Sequence, residues 1–297
     1  MEVDPDFATL NLVQTSEEAE YFSNLPTPET LDVPPIAGPD NPPWNSGIAF
    51  GSWVISVLLI MIVPTLFLVP YAMTRTPPVI ESAELIEFAK SDTAAILLQI
   101  AAIIPAHLLT LLLGWLVVTR FRAFSFTQML GWRSGGISWW YYPLTLVSFG
   151  MLAGVVGYFF PEQENDMIRM LRSSSSAVYL VAFLATVTAP IVEELIYRGI
   201  LYSAFQRTFG VSAAFGLVTL MFAIVHVPQY YPSFSTIFLL GLLSIILTGL
   251  RVYSKNLLPC IILHTLFNGV QSVALVLSTF YETAEKTPET AALFRLF

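Results

Sequence analysis

The sequence predicts an all-α fold, a polytopic transmembrane helical bundle of about 7–8 spans. Three observations carry this. The 297-residue chain is 55% hydrophobic and only 11% charged, whereas soluble domains hold about 25% charged residues. Its mean hydropathy is +0.70. Its apolar residues are gathered into long blocks, most of them near the ~20 residues that a helix needs to cross the hydrocarbon layer. Spans are expected near 48–73, 94–119, 143–160, 177–207, 211–228, 235–253 and 257–280. The third is short, and the ends leave room for an eighth.

Residues 1–46 hold nine acids between Glu2 and Asp40, seven prolines between Pro26 and Pro43, and no Lys or Arg. Charge and proline with few large apolar residues mark a disordered, acidic, Pro-rich tail. A solvated leader is the preferred reading, with a partner-binding arm as the alternative. The tail has no basic n-region and no early apolar stretch, so no signal peptide is expected and the first span should stay as an anchor. Residues 47–140 then carry the first two spans and their loops, 141–281 the core with the polar motifs, and 282–297 a C-terminal tail. The aromatic run Trp139-Trp140-Tyr141-Tyr142 reads as an interfacial belt. The lone cysteine, Cys260, excludes a disulfide framework and a thiolate metal cluster. It lies one turn before His264 and reads as a small packing residue.

The polar residues inside the spans are the informative ones. A charge at the bilayer centre costs about 2.5–3.5 kcal/mol on insertion scales, so intramembrane acids ask for partners or a task. Glu193 and Glu194 lie side by side in "VEELIYRG", mid-way along the fourth apolar block. Glu194 and Arg198 are i, i+4 with the acid first, the favourable order for a pair. Glu193 then points about 100° away from that pair. Gly210 ends the helix. Glu193 lies 17 residues before Gly210 and His226 lies 16 after it. Antiparallel helices leaving that turn put both groups about 25 Å from it, at matching depth. On the last span His264 and Asn268 are i, i+4 and share a face with Gln271. Counted from the turn at Lys255–Asn256 they lie about 12 and 18 Å deep, shallower than Glu193 unless the end of its helix protrudes by two turns. Three helices thereby aim Glu193, Glu194, Arg198, His226, His264 and Asn268 at one intramembrane pocket.

Each element also has a plainer reading. The Glu194–Arg198 pair is a structural contact in that case, and Asn268 a packing hydrogen bond. The third histidine, His107, has no partner near it in the sequence and reads as polar glue between helices. The converging carboxylate, imidazole and amide groups suit water activation, with a glutamate base, a histidine to share the proton, and donors for a developing oxyanion. Metal-assisted hydrolysis, with His226, His264 and a glutamate around a zinc-type divalent ion, is the alternative, but no compact H-E-x-x-H helix is present. No G-x-S-x-G, Gly-rich phosphate loop or basic nucleic-acid patch occurs.

Three motifs stand in order on three spans: E-E-x-x-x-R in "EELIYR", F-x-x-x-H in "FAIVH" and H-x-x-x-N in "HTLFN". Together they resemble the CAAX-protease and bacteriocin-processing (Abi) family of intramembrane endopeptidases, which includes the type II CAAX prenyl endopeptidases. The likeness covers roughly residues 140–280. It implies peptide-bond hydrolysis within the membrane. Glu193 would activate water with His226, His264 and Asn268 would form the oxyanion hole, and Glu194 and Arg198 would order the site. It favours a metal-independent glutamate protease with no cofactor. The implied partners are a membrane-associated peptide or protein substrate and the lipid bilayer, with no nucleic acid, and the implied place is the plasma membrane of a prokaryote. Two other functions suit the same residues: a proton-coupled transporter, since carboxylate–histidine chains relay protons, and a catalytically silent bacteriocin-immunity or scaffold protein. Lys and Arg outside the site divide six against six, with Arg120, Arg122, Arg133, Arg207, Arg251 and Lys255 on one face and Arg75, Lys90, Arg169, Arg172, Lys286 and Arg295 on the other. The positive-inside rule therefore gives no orientation.

Overall fold

A computed structural model describes residues 37–286. Its elements are helices: α1 (Ser46–Met73), α2 (Ser82–Ser91), α3 (Thr93–Thr119), α4 (Phe126–Leu130), α5 (Tyr141–Phe159), α6 (Asp166–Ser173), α7 (Ser175–Phe209), α8 (Val211–Tyr230), α9 (Phe234–Ser254) and α10 (Leu258–Lys286). Among the described residues there is no β-strand. Seven of these helices (α1, α3, α5, α7, α8, α9 and α10 up to Phe280) are long and apolar enough to cross a membrane. All seven expected spans are thus present, with ends shifted by a few residues.

Local chemistry sets several boundaries. Asn45 caps α1 by accepting from the Ile48 N–H at 2.9 Å, and Asp92 caps α3 by accepting from Ala95 at 2.8 Å. Ser174, within the polar serine run, caps α7 through the Ala177 N–H. Gly210, at φ +83°, separates α7 from α8. Lys255, at φ +55°, ends α9 in a left-handed cap whose N–H returns to the Arg251 carbonyl. Gly131 is required by both conformation and space. Its φ is +70°, and a Cβ there would stand 2.9 Å from the Asn256 Cα. The Leu257 N–H accordingly reaches the Leu130 and Gly131 carbonyls, tying the α4 corner to the α9–α10 turn.

Helix α7 is the axis of the bundle. It touches α1, α3, α8 and α10, and its segment Leu195–Phe205 is the centre of the main buried cluster, with Trp44, Met129, Val218, Phe222 and Leu257 around it. Helix α5 is peripheral, with Phe149 its one buried residue. Trp139 and Trp140 stack at its start, each 63% exposed, as suits a belt. Cys260 is fully buried among Leu247, Leu263 and Phe267, a packing residue.

Two findings depart from the sequence reading. Residues 37–45, expected to belong to a disordered tail over 1–46, form a strap packed on the ends of α7 and α9. Trp44 is 1% exposed and its indole N–H donates to the Ile200 carbonyl at 3.0 Å. Asp40 pairs with Arg251 at 3.0 Å, and Arg207 donates to the Pro42 and Trp44 carbonyls. These partners also remove Arg251 from the loop charges counted above, since it is buried in the last turn of α9. Composition failed here because a strap held by backbone carbonyls needs few apolar side chains. The rest of that tail, residues 1–36, and residues 287–297 of the C-terminal tail lie outside the described residues. Helix α10 itself continues past the expected boundary at 282 to Lys286.

Candidate active site

The helix that carries the two glutamates is α-helical only in part. Leu184–Thr188 and Leu195–Leu201 are π-helical, and they flank the short α-helical stretch Ala189–Glu194. In the first, the Ala189 N–H bonds to the Leu184 carbonyl, five residues back. The next donor in that register would be Pro190, which has no N–H. The carbonyl that it leaves, Ala185, accepts instead from Asn268 Nδ2 at 2.9 Å. Single π turns inside α-helices are frequent at functional sites. Here they set the direction in which Glu193 and Glu194 project.

Glu194 and Arg198 are both 0% exposed and pair at 2.9 Å. The guanidinium is held on every side. Its Nη2 donates to Ser244 Oγ at 2.8 Å and to the Ser244 carbonyl at 3.2 Å, and its Nε donates to Thr248 Oγ1 at 3.4 Å. The Phe222 ring lies under it at 4.7 Å. Glu194 Oε1 also meets His264 Nδ1 at 2.8 Å. The other side of that imidazole, Nε2, stands 3.8 Å from Glu193 Oε2. His264 is therefore wedged between the two carboxylates, one on each ring nitrogen. Glu193, 24% exposed, is the more accessible of the two acids.

His226 lies beside this cluster. Its Nδ1 donates to the Phe222 carbonyl at 2.7 Å, which leaves Nε2 as the acceptor in the neutral ring. Phe222 joins the parts: its ring is 4.7 Å from that of His226, 6.2 Å from that of His264 and 5.1 Å from that of Tyr197. The structure thus brings Glu193, Glu194, Arg198 and His264 into direct contact and connects His226 to them through Phe222. Asn268 reaches the same helix but spends one N–H on the Ala185 carbonyl. The depth mismatch counted for His264 does not survive: Glu193 and His264 meet, while Gln206 and Arg207 at the far end of α7 bond to the strap.

The sequence reading did not find several supporting residues. Ser244, Thr248 and Arg251 form an i, i+4, i+7 polar edge on an otherwise apolar helix, a signal that was present in the sequence. His107 links two helices, as its reading as polar glue expects, but its partner could not be named from the sequence. Its Nδ1 bonds to Thr188 Oγ1 at 2.8 Å, a contact between residues 81 positions apart that no local pattern announces. Among the described residues, no three His, Cys, Asp or Glu side chains are grouped so as to hold a metal ion. The Nδ1 atoms of both histidines are engaged, by the Phe222 carbonyl and by Glu194, which leaves their Nε2 atoms and the Glu193 carboxylate as the remaining donors of the site.

Residues 175–270 match the family model described as type II CAAX prenyl endopeptidase Rce1-like. The match lies inside the stretch that the motifs marked and contains all seven motif residues. This Rce1-like segment begins at α7, so α1–α6 lie outside it. Searches of curated proteins and of solved structures gave no match. The Rce1-like segment points to a CAAX-type protease, and with seven membrane-spanning helices the chain is an integral multi-pass membrane protein.

Proposed function

We propose that this protein is an intramembrane endopeptidase that hydrolyses a peptide bond of a membrane-associated substrate with water activated by Glu193. The observation that carries the reading is the wedge of His264 between two carboxylates of opposite character. One, Glu194, is sealed and neutralised by Arg198. The other, Glu193, is accessible and has no cation of its own within the helix.

Glu193 takes a proton from water as the oxygen attacks the substrate carbonyl carbon. His226, whose free Nε2 is an acceptor, shares that proton. The carbonyl oxygen becomes an oxyanion and needs donors. With Glu194 accepting at Nδ1, the donor that His264 would present to the reacting centre is Nε2–H. The second N–H of Asn268 is the remaining donor. Collapse of the tetrahedral intermediate breaks the C–N bond, and the proton held on Glu193 passes to the leaving amine. Arg198, locked by Ser244 and Thr248, fixes Glu194 and through it the His264 ring, as a carboxylate orients a histidine in other hydrolases. No step requires a metal. The family description makes a prenylated C-terminal peptide the first substrate to try, followed by unmodified membrane peptides.

The test is cleavage of such peptides by purified protein in lipid vesicles. Glu193→Ala should abolish turnover while the protein stays folded. Full activity in that variant would remove Glu193 from the mechanism. Proton-dependent flux across the vesicles without hydrolysis would support a transporter instead.

A further inference from the structure

His107 is a buried, ionisable group that the reaction above does not use. It sits on α3, outside the segment that matches the protease family. Its one bond goes to Thr188, the last residue of the first π-helical segment. The Thr188 hydroxyl gives its own proton to the Leu184 carbonyl at 3.2 Å, so it accepts from His107 Nδ1–H. On the opposite side, α10 holds the same segment. Asn268 donates to Ala185, and Ser272 reaches Thr186 Oγ1 at 3.0 Å. Glu193 follows Thr188 by five residues.

We propose that His107, acting through Thr188, is a positioning residue that holds the Leu184–Thr188 segment in π geometry and so sets the direction of Glu193. The physical basis is the geometry of a helix with one extra residue in a turn. If the segment relaxed to α geometry, everything after it would turn by about 100° and shift by about 1.5 Å relative to the preceding turns. Neither the 3.8 Å approach of Glu193 to His264 nor the 2.8 Å bond of Glu194 to the same ring would survive such a turn. Misplacement of a reacting group by about 1 Å can cost 10²-fold in rate. The functional consequence rests on Glu193 being the base, but the geometric claim does not.

Two readouts separate these. The first is kinetic, in lipid vesicles. His107→Leu and Thr188→Val should each lower kcat at least about tenfold with KM within about twofold, because the base is turned and not the substrate-binding surface. Thr188→Ser, which keeps the hydroxyl, and His107→Asn, which keeps a donor near the Nδ1 position, should restore most of the loss. The second reads direction without activity. Ile191 faces outward, 38% exposed, whereas Val192 is 2% exposed. A nitroxide on Ile191→Cys should be accessible to dissolved oxygen in the parent protein and protected when His107→Leu or Thr188→Val is added. Cys260, fully buried, stays unlabelled. Wild-type kcat in folded His107→Leu would overturn the proposal. So would a lowered kcat with unchanged nitroxide accessibility, which would mean that His107 acts by some other route. If His107→Leu does not fold, the Thr188 pair decides by the same two measurements. If the parent protein hydrolyses nothing, the proposed function fails, and the nitroxide result alone decides the geometric claim.

Discussion

Removing Arg198 tests the centre of the site through stability instead of rate. In Arg198→Met the Glu194 carboxylate remains 0% exposed and loses the partner at 2.9 Å. Breaking a buried pair from one side costs about 3–5 kcal/mol, and here the surviving carboxylate keeps only its contact with His264 Nδ1 at 2.8 Å. Glu194→Leu should cost a similar amount by stranding the guanidinium. The double variant Glu194→Leu/Arg198→Met strands neither charge. What it leaves is Ser244 Oγ, Thr248 Oγ1 and His264 Nδ1 without their partners, groups that one or other single variant already strands. The double variant should therefore be no less stable than either single one, well short of the 6–10 kcal/mol that addition of the two costs would give. Equilibrium unfolding in mixed micelles measures this, and the chain supplies its own reporter. Cys260 is the sole cysteine and is fully buried, so its reaction with a thiol dye follows opening of the α9–α10 core. Two results would refute the reasoning. Single variants within about 1 kcal/mol of the parent would mean that the pair is not desolvated, and strict additivity would mean that the two groups do not compensate each other.

Gly131→Ala should destabilise by about 1–2 kcal/mol from the left-handed backbone alone, and by more because the new methyl meets the Asn256 Cα at 2.9 Å, which a thermal scan will read. Hydrolysis should continue undiminished after exhaustive treatment with a chelator, since the mechanism passes through no metal. Activity lost to the chelator and restored by zinc would refute this and make Glu193 and the Nε2 atoms of His226 and His264 the first ligands to test.

How much of this was open to a reader of the sequence depends on the length scale of each signal. Spans were legible because apolar composition over some twenty residues is a direct statement about lipid. Residue counts from shared turns become depths because helical rise is constant, but the count matched Glu193 with His226, whereas the histidine that Glu193 meets is His264, which the same count placed too shallow. The pairing of Glu194 with Arg198 followed from spacing alone. Direction was not legible. A helix with two π segments no longer turns 100° at every step, and the sequence marks the first of them only by Pro190, which is equally at home in an ordinary kinked helix. His107 and Thr188 fall in apolar runs on separate helices, and their contact exists only after packing. Phe222 entered as a motif letter without chemistry, yet its ring is what His226, His264 and Arg198 share.

The strap shows how the same logic reaches outside the membrane. The polar edge of α9 starts at Ser244 and Thr248, which hold Arg198, and ends at Arg251, which holds Ser203 Oγ at 3.2 Å and the Pro39 carbonyl at 2.7 Å as well as Asp40. One helix edge therefore anchors both the site and residues 37–45 to α7. The two strap contacts should differ in worth. Asp40 is 40% exposed, so its pair with Arg251 is partly screened, and the guanidinium keeps two other partners if the carboxylate is lost. Asp40→Asn should cost about 1 kcal/mol or less. Trp44 is buried and its indole N–H satisfies Ile200, a carbonyl of the second π segment. Trp44→Phe keeps most of the ring but strands that carbonyl, for about 1–3 kcal/mol. Unfolding midpoints should thus rank the parent first, then Asp40→Asn, then Trp44→Phe. The reverse order would mean that the strap is held by its charge and that the buried indole is incidental to it.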